Sequence, residues 1–120
     1  MSSNYKSLLV WQKSFAITKE IYNVTKNFPK EELFVLTSQM RRCSVSIPSN
    51  IAEGKGRHSD KELIRFLRIS KGSCNELETQ ILLAKEIGYI SEDISKKLEN
   101  NCQEILKMIS VLIKKLKAIG

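Results

Sequence analysis

The 120-residue chain contains one histidine, three cysteines, two prolines and few aromatic side chains. The small numbers of histidine and cysteine residues argue against several classes of catalytic and metal-binding site. The lone histidine, His58, has no HExxH or ExxH partner, so the carboxylate-bridged metal sites of helical bundles cannot be assembled. No serine or cysteine has a recognisable general base beside it in the sequence. We therefore expect a protein that is not an enzyme and that uses no cofactor.

The three cysteines, Cys43, Cys74 and Cys102, show no paired CxxC spacing, and an odd number cannot form a closed disulfide framework. Each falls on an apolar helical stripe, so we expect buried thiols that pack as small hydrophobes. The sequence also has no apolar run of about 18 residues, the length that spans a bilayer, and no secretory leader pattern. These absences predict a cytoplasmic protein without a membrane partner.

Apolar residues repeat at helical spacing along most of the chain, which predicts an all-α, up-down antiparallel four-helix bundle. The expected helices cover about residues 8–28, 31 or 32 to 53, 60–87 and 92–119. Ser59 and Glu62 form a capping box at the start of the third helix, Gly88 is placed to cap its end, and Ser91 caps the fourth. We expect residues 1–7 to be a flexible N-terminus and residues 8–120 to form a single domain.

The expected core stripes follow from the spacing. In the first helix the stripe is Trp11, Phe15, Thr18, Tyr22 and Thr25, flanked by Ile17, Ile21, Val24 and Phe28. In the third helix it is Leu63, Leu67, Ser70, Cys74, Leu77, Ile81 and Ala84, and in the fourth it is Leu98, Cys102, Ile105, Ile109, Leu112, Leu116 and Ile119. The last two helices also carry apolar residues away from these stripes, such as Leu82, Leu83 and Val111. A helix that is apolar over more than one stripe needs a second burial partner, which predicts self-association. A wide core face in a monomer is the alternative.

The second helix contains Pro48, yet its apolar stripe of Leu36, Met40, Cys43, Ile47 and Ile51 continues past it. We therefore expect Pro48 to kink one helix that stops at Gly54. Hydroxyl groups of nearby serines or a water molecule would satisfy the backbone groups that the proline frees. In the alternative, Ser46 caps a new helix with Pro48 in its first turn.

The segment SIPSNIAEGKGR, residues 46–57, with the WQKSFAITKEIY and RFLRISKGSCNELETQILLAKEIGYI helices, resembles the bacterial four-helix-bundle proteins encoded in 23S ribosomal RNA intervening sequences. The resemblance covers about residues 8–118 and is most specific at Ser46, Ile47, Pro48, Asn50 and Gly54, which we interpret as a structural motif. The same fold is found in the accessory variability proteins of diversity-generating retroelements, which are basic pentamers that work with nucleic acid and a reverse transcriptase. The resemblance therefore implies a homopentamer but no established activity.

The formal net charge is +7, and most of the excess lies between residues 41 and 71, where eight basic residues face three acidic ones. The eight are the candidate phosphate contacts: Arg41, Arg42, Lys55, Arg57, Lys61, Arg65, Arg68 and Lys71. Lys61, Arg65 and Arg68 share one helix face. A solvated basic surface that only maintains solubility is the plain alternative. The glycines of the GKG turn, residues 54–56, allow either an anion-binding nest or a simple helix cap and turn.

These charges predict an oligomer that binds the backbone of RNA or DNA, with little base stacking because Phe66 is the only aromatic residue in the segment. The alternative is an oligomeric scaffold that docks a nucleic-acid enzyme such as a polymerase without touching nucleic acid itself. Both functions use the same charges, so the sequence does not separate them.

Overall fold

The computed structural model describes residues 4–119, which are helical almost throughout and contain no β-strand. The four helices are α1 (Leu9–Thr25), α2 (Leu36–Gly56), α3 (Asp60–Ile87) and α4 (Glu92–Ile119). One-turn 3₁₀ helices, Tyr5–Ser7 and Lys30–Glu32, precede α1 and α2. The all-α fold with four helices that the sequence predicts is confirmed.

The helices form an elongated bundle of 46 × 22 × 20 Å. Each helix packs on its neighbours in sequence, and α1 also packs on α4. Contacts between helices follow opposite chain directions: Lys85 pairs with Glu92 at one end of α3 and α4, and Cys74 meets Cys102 farther along. These contacts support the predicted up-down order, which stays a prediction here.

The helix ends follow local chemistry. The Ser59 hydroxyl accepts a hydrogen bond from the Glu62 amide at 3.3 Å, and the Ser91 hydroxyl accepts one from the Ile94 amide at 3.2 Å. Gly88 closes α3 with a φ of 96°, a left-handed conformation that glycine adopts without strain. These three caps agree with the positions that the sequence predicts.

The core contains residues of all four helices. Every residue of the predicted α3 stripe is buried, whereas the α4 stripe is buried only from Leu98 to Ile109, and Ile119 is 78% exposed. In α1 the predicted stripe is only partly right: Thr25 is buried and Trp11 packs against the core, but Phe15 and Tyr22 are 48% and 41% exposed. The flanking residues Ile17 and Ile21 are fully buried instead. The bundle therefore leaves aromatic side chains of α1 on its surface.

The predicted start of α2 is also wrong. Residues 30–32 form a 3₁₀ turn, and α2 begins at Leu36, whose amide donates to the Glu32 carboxylate at 3.2 Å. Of the predicted flexible N-terminus, residues 1–3 lie outside the described part of the chain, and Tyr5–Ser7 form a turn whose Tyr5 ring packs 5.3 Å from Trp11.

All three cysteines are buried and free, as the sequence predicts. Burial and the nearby Glu76 carboxylate raise the pKa of Cys43 to about 12. A hydrogen bond with Cys74, together with burial, raises the pKa of Cys102 as well. Thiols held in the protonated form are poor nucleophiles, so Cys43 and Cys102 contribute packing.

Candidate nucleic-acid interface

The Pro48 segment joins α2 to α1. α2 runs unbroken through Pro48, so the alternative in which Ser46 caps a new helix is wrong. Because proline has no amide hydrogen, the Ser44 carbonyl loses its helical donor. The Thr18 hydroxyl of α1 lies 2.8 Å from that carbonyl oxygen and donates to it. The donor to this carbonyl therefore comes from another helix, whereas the nearby Ser46 hydroxyl donates to the adjacent Cys43 carbonyl at 2.7 Å. The predicted kink stays a prediction.

The same segment joins α2 to α3 through hydroxyl groups. The Ser46 hydroxyl lies 2.6 Å from that of Ser73, and the Ser70 hydroxyl donates to the Ile47 carbonyl at 2.9 Å. The Asn50 side-chain amide donates back to the Ser46 carbonyl at 2.8 Å. The two contacts to Ser73 and from Ser70 join α2 to α3 at this segment. Its role as a structural motif stays a prediction.

The helices approach most closely at Gly54. A β-carbon at this position would lie 2.7 Å from the Phe66 β-carbon and 3.2 Å from a Leu63 methyl group, so a larger residue does not fit. Residues 54–56 are still helical, and α2 ends at Gly56, two residues later than predicted. The anion-nest interpretation of GKG is wrong, because these amides belong to the last helical turn.

Phe66 organises two of the predicted phosphate contacts. Its ring is almost buried, and the guanidinium carbons of Arg57 and Arg65 lie 5.2 and 4.5 Å from its centre. Arg57 also pairs with Glu53 at 3.1 Å and Arg65 with Glu62 at 3.2 Å. The hydrogen bond from Arg65 holds the pKa of Glu62 below its ordinary value. Packing on the ring restricts both guanidinium groups before any ligand arrives.

Three more of the predicted residues surround this pair. Lys61 and Arg68 are exposed on α3, on the same face as Arg65, and Lys55 is half-buried on the last turn of α2. Within residues 4–119 none of the three has a carboxylate within 4 Å, so their charges are not neutralised by ion pairs. Lys71, also exposed, lies one turn beyond Arg68.

Arg41 and Arg42 lie elsewhere. At 1.5 Å per residue, Arg42 is about 22 Å along α2 from Arg57. The Arg41 Nε donates to the Thr25 hydroxyl at 2.9 Å, and its guanidinium lies 4.8 Å from the centre of the Tyr22 ring. The eight predicted residues therefore do not form one continuous patch.

The C-terminal half of α4 brings further positive charge that the sequence reasoning missed. After Glu104 the chain has no acidic residue but four lysines, all exposed: Lys107, Lys114, Lys115 and Lys117. α3 and α4 meet at Cys74 and Cys102. Because both helices rise 1.5 Å per residue, Asp60, 14 residues before Cys74, and Leu116, 14 residues after Cys102, lie at about the same level of the bundle. These lysines thus lie at the end where α2 meets α3.

We name this region, residues 53–68 and 105–119, the basic end. It carries nine basic residues against Glu53, Asp60 and Glu62, a net of +6. The opposite region, residues 26–35 and 85–97, carries five residues of each sign, and we name it the mixed end. Nearly all of the net charge of the protein therefore lies at one end of a rod.

Within residues 4–119 no three His, Cys, Asp or Glu side chains are placed to hold a metal ion. Over the same residues no helix has the length and apolar character needed to cross a bilayer. A hollow of about 660 Å³ is an open groove between α1 and α2, and the residues that line it include no titratable pair of the kind used in acid–base catalysis.

Comparison with known proteins agrees with the resemblance seen in the sequence. Residues 6–111 match the family model described as 23S rRNA-intervening sequence protein. The fold is similar to the crystal structure of a protein of unknown function from the S23 ribosomal protein family of Bacteroides thetaiotaomicron, with 29% identity and a TM-score of 0.82 over 88% of this chain and 99% of that one. A comparison with curated protein sequences finds no match. The chain belongs to the 23S rRNA-intervening sequence protein family.

Proposed function

We propose that the protein binds the phosphate backbone of RNA or DNA through its basic end, as a homo-oligomer of five subunits, the number implied by the family resemblance. The observation that carries the proposal is the separation of charge: a net of +6 lies at one end of a 46 Å rod and none at the other. A cluster of this kind attracts a polyanion by neutralising phosphates and releasing their counterions.

The side chains of the basic end suit contacts with phosphate groups better than contacts with bases. Arg57 and Arg65 present planar guanidinium groups already placed against Phe66, a geometry that favours two-pronged hydrogen bonds to phosphate oxygens. Phe66 itself is almost buried and offers no face for a base to stack on. Recognition by backbone and shape, with little sequence preference, follows.

Glu53 and Glu62 each hold one of these arginines in the free protein. Both ion pairs are exposed to solvent, where such pairs contribute little to stability, so a phosphate group displaces the carboxylate at little cost. Oligomer formation repeats the basic end in each subunit, and weak contacts then add through their effective concentration.

A salt titration tests the proposal. Gel-shift or anisotropy measurements with a structured RNA and a DNA duplex at 50 to 200 mM salt would measure affinity. With about six phosphate contacts the dissociation constant rises on the order of 1,000-fold across this range. Absence of binding at 50 mM salt would overturn the proposal and favour the alternative, a scaffold that docks a nucleic-acid enzyme through protein contacts alone.

A further inference from the structure

Aromatic rings follow one another along the surface shared by α1 and α2. Phe15, Tyr22 and Phe34 are 48%, 41% and 88% exposed. Trp11 lies next to Phe15, and the two rings stack with 4.9 Å between their centres. These side chains line two hollows of about 660 and 320 Å³, which adjoin at Val45. We name Trp11, Phe15, Tyr22 and Phe34 the aromatic track. Its exposed rings offer stacking surfaces for a planar ligand.

Positive charge accompanies the aromatic track. The Arg41 guanidinium lies 4.8 Å from the centre of the Tyr22 ring, and its Nε donates to the Thr25 hydroxyl at 2.9 Å. Within residues 4–119 its two terminal nitrogens have no hydrogen-bond partner, so the held guanidinium keeps donors free for a ligand. Arg42 lines the same hollow. It also lines a hollow between α2 and α3 with Glu76, but the two charged groups are not within 4 Å of each other. No carboxylate lines the two hollows of the track, so its ligand should be planar and negatively charged.

An unpaired nucleotide has both properties. Its base offers a planar face to an aromatic ring, and its phosphate offers oxygens to a guanidinium group. Bases inside a duplex are stacked on one another and present no free face, so the track suits single-stranded nucleic acid. The basic end has no equivalent surface, because Phe66 is almost buried. The two regions therefore differ in the part of a nucleic acid that each is suited to contact.

The aromatic track leads towards the basic end. Its larger hollow is lined by Arg41, and its smaller hollow extends along α2 as far as Ala52. At 1.5 Å per residue, Ala52 lies about 8 Å before Arg57 along the helix, and Arg41 lies about 24 Å before it. A strand that advances about 3.4 Å per stacked nucleotide covers the longer distance with about seven nucleotides. One nucleic-acid strand is therefore long enough to reach both regions.

We propose that the aromatic track binds a single-stranded extension of the same nucleic acid whose duplex part is held at the basic end. Unpaired bases stack on Phe34 and Phe15, and Arg41 and Arg42 contact the phosphates between them. The proposal rests on the proposed function and adds a second site to it. The class of ligand becomes structured RNA or DNA that carries a single-stranded tail, recognised by duplex backbone at one site and by exposed bases at the other.

Three DNA probes test the second site by anisotropy. They are a plain duplex, the same duplex with a tail of about ten thymidines, and the duplex with an abasic tail of equal length, which keeps the phosphates but lacks the bases. The thymidine tail should improve affinity about 10-fold, the size expected for stacking on an aromatic ring, and the abasic tail should add clearly less. Equal affinities for all three probes would overturn the second site and leave the proposed function intact. Absence of binding to all three would overturn the proposed function as well.

Substitutions at Phe34 assign the effect to the track. Phe34→Ala should lose most of the gain from the thymidine tail and bind the plain duplex as before, whereas Phe34→Trp keeps a ring and should retain the gain. Ile87→Ala, at a 50% exposed position on α3, is the matched control and should change neither affinity. Equal losses in Phe34→Ala and Ile87→Ala would overturn the proposal. A lower oligomer mass of Phe34→Ala with an unchanged gain from the tail would show that the track contacts another copy, and would overturn it too.

Trp11, the only tryptophan of the chain, gives an independent readout. It lines the smaller hollow and stacks on Phe15, so a base bound there lies beside its indole ring. Bases stacked near an indole quench its fluorescence. The duplex with the thymidine tail should therefore quench Trp11, whereas the plain duplex and the abasic tail should not. Equal quenching by the thymidine and abasic tails, or no quenching by either, would overturn the stacking of bases on the track.

Discussion

The two ends of this bundle are closed by different chemistry. At the basic end α2 and α3 meet without space for a side chain at Gly54, and positive charge accumulates around the junction. At the mixed end the connecting segments are joined by side chains: the Tyr89 hydroxyl donates to Glu32 at 2.8 Å, and its ring packs 5.2 Å from that of Phe28. At the basic end, close backbone packing leaves long side chains free to contact a ligand. At the mixed end, side chains such as Tyr89 and Glu32 are used in contacts within the protein.

The largest effect should come from reversing charge at the basic end. Changing Arg57, Arg65 and Arg68 to Glu removes three phosphate contacts and adds three repulsive charges, and should weaken RNA binding about 100-fold or more at 100 mM salt. The matched control changes Lys26, Lys96 and Lys97 of the mixed end to Glu. The net charge of the protein changes by the same amount in both variants. Because the control residues lie at the other end of the bundle, their substitution should reduce the affinity far less.

Anisotropy titrations of both triple variants would measure this difference. Equal losses would show that net charge alone drives binding and that the two ends do not differ in function. An unchanged affinity of the basic-end variant, with its oligomer intact, would show that the contact surface lies elsewhere.

The next largest effect should be on stability, from a substitution at Gly54, where α2 and α3 approach most closely. In Gly54→Ala the new β-carbon meets the Phe66 β-carbon at 2.7 Å, so α2 and α3 must separate. We expect a loss of about 1–3 kcal/mol in the free energy of unfolding, as in other overpacked cores. Gly56→Ala is the matched control: nothing lies within 4 Å of its β-carbon, and removing a helical glycine should stabilise by up to about 1 kcal/mol.

Chemical denaturation of the two alanine variants would measure the free energies. Opposite signs at positions two residues apart would establish that close packing at Gly54, and not the flexibility of the GKG segment, closes the basic end. A Gly54→Ala protein as stable as the unmodified one would contradict the close approach.

The lysines of α4 give a further test of the difference between the two ends in nucleic-acid affinity, because they were not among the residues predicted from the sequence. Changing Lys114, Lys115 and Lys117 to Gln should reduce affinity about 10-fold at 100 mM salt and lower the slope of log K against log salt by about 2. Changing Lys85, Lys96 and Lys97 to Gln gives the mixed-end control. An unaltered salt slope in the α4 variant would restrict the interface to α2 and α3.

The sequence predicts the middle of the bundle better than its surface features. In α3, every residue of the stripe predicted from spacing is buried, although the helix also carries exposed apolar residues such as Leu82 and Leu83. In α1, apolar residues occur on several sides, and spacing does not decide between Ile17 with Ile21 and Phe15 with Tyr22. Contacts with other helices decide it, and they bury the aliphatic pair.

The same limit applies to the candidate site. Lysines of α4 join the basic end because α4 packs on α3, which brings together residues about 40 or more positions apart that no local charge count relates. Thr18 satisfies the carbonyl freed by Pro48 across 26 residues, for the same reason. One local signal was available, since the absence of acidic residues after Glu104 is visible in the sequence. The relation to retroelement accessory proteins stays an expectation from resemblance.

The smallest expected effect concerns the hydrogen bond between Tyr89 and Glu32 at the mixed end. The hydrogen bond to Glu32, and secondarily burial and the charge of that carboxylate, raise the pKa of Tyr89 above its ordinary value. The folded protein therefore binds the phenolic proton more tightly than the unfolded chain does. The stability from this contact is present below the ordinary tyrosine pKa and is lost as the pH rises through the raised one.

Absorbance at 295 nm follows the three tyrosines. Glu32→Gln keeps an acceptor but removes the charge, so the last ionisation should move to lower pH, and Tyr89→Phe should abolish it. Glu31→Gln is the control, because Glu31 contributes only the weakest of the four influences on Tyr89. If the two glutamine variants titrate alike, general negative charge and not the direct contact controls Tyr89. The mixed end would then not depend on a specific contact between Tyr89 and Glu32, and the two ends would differ only in their net charge.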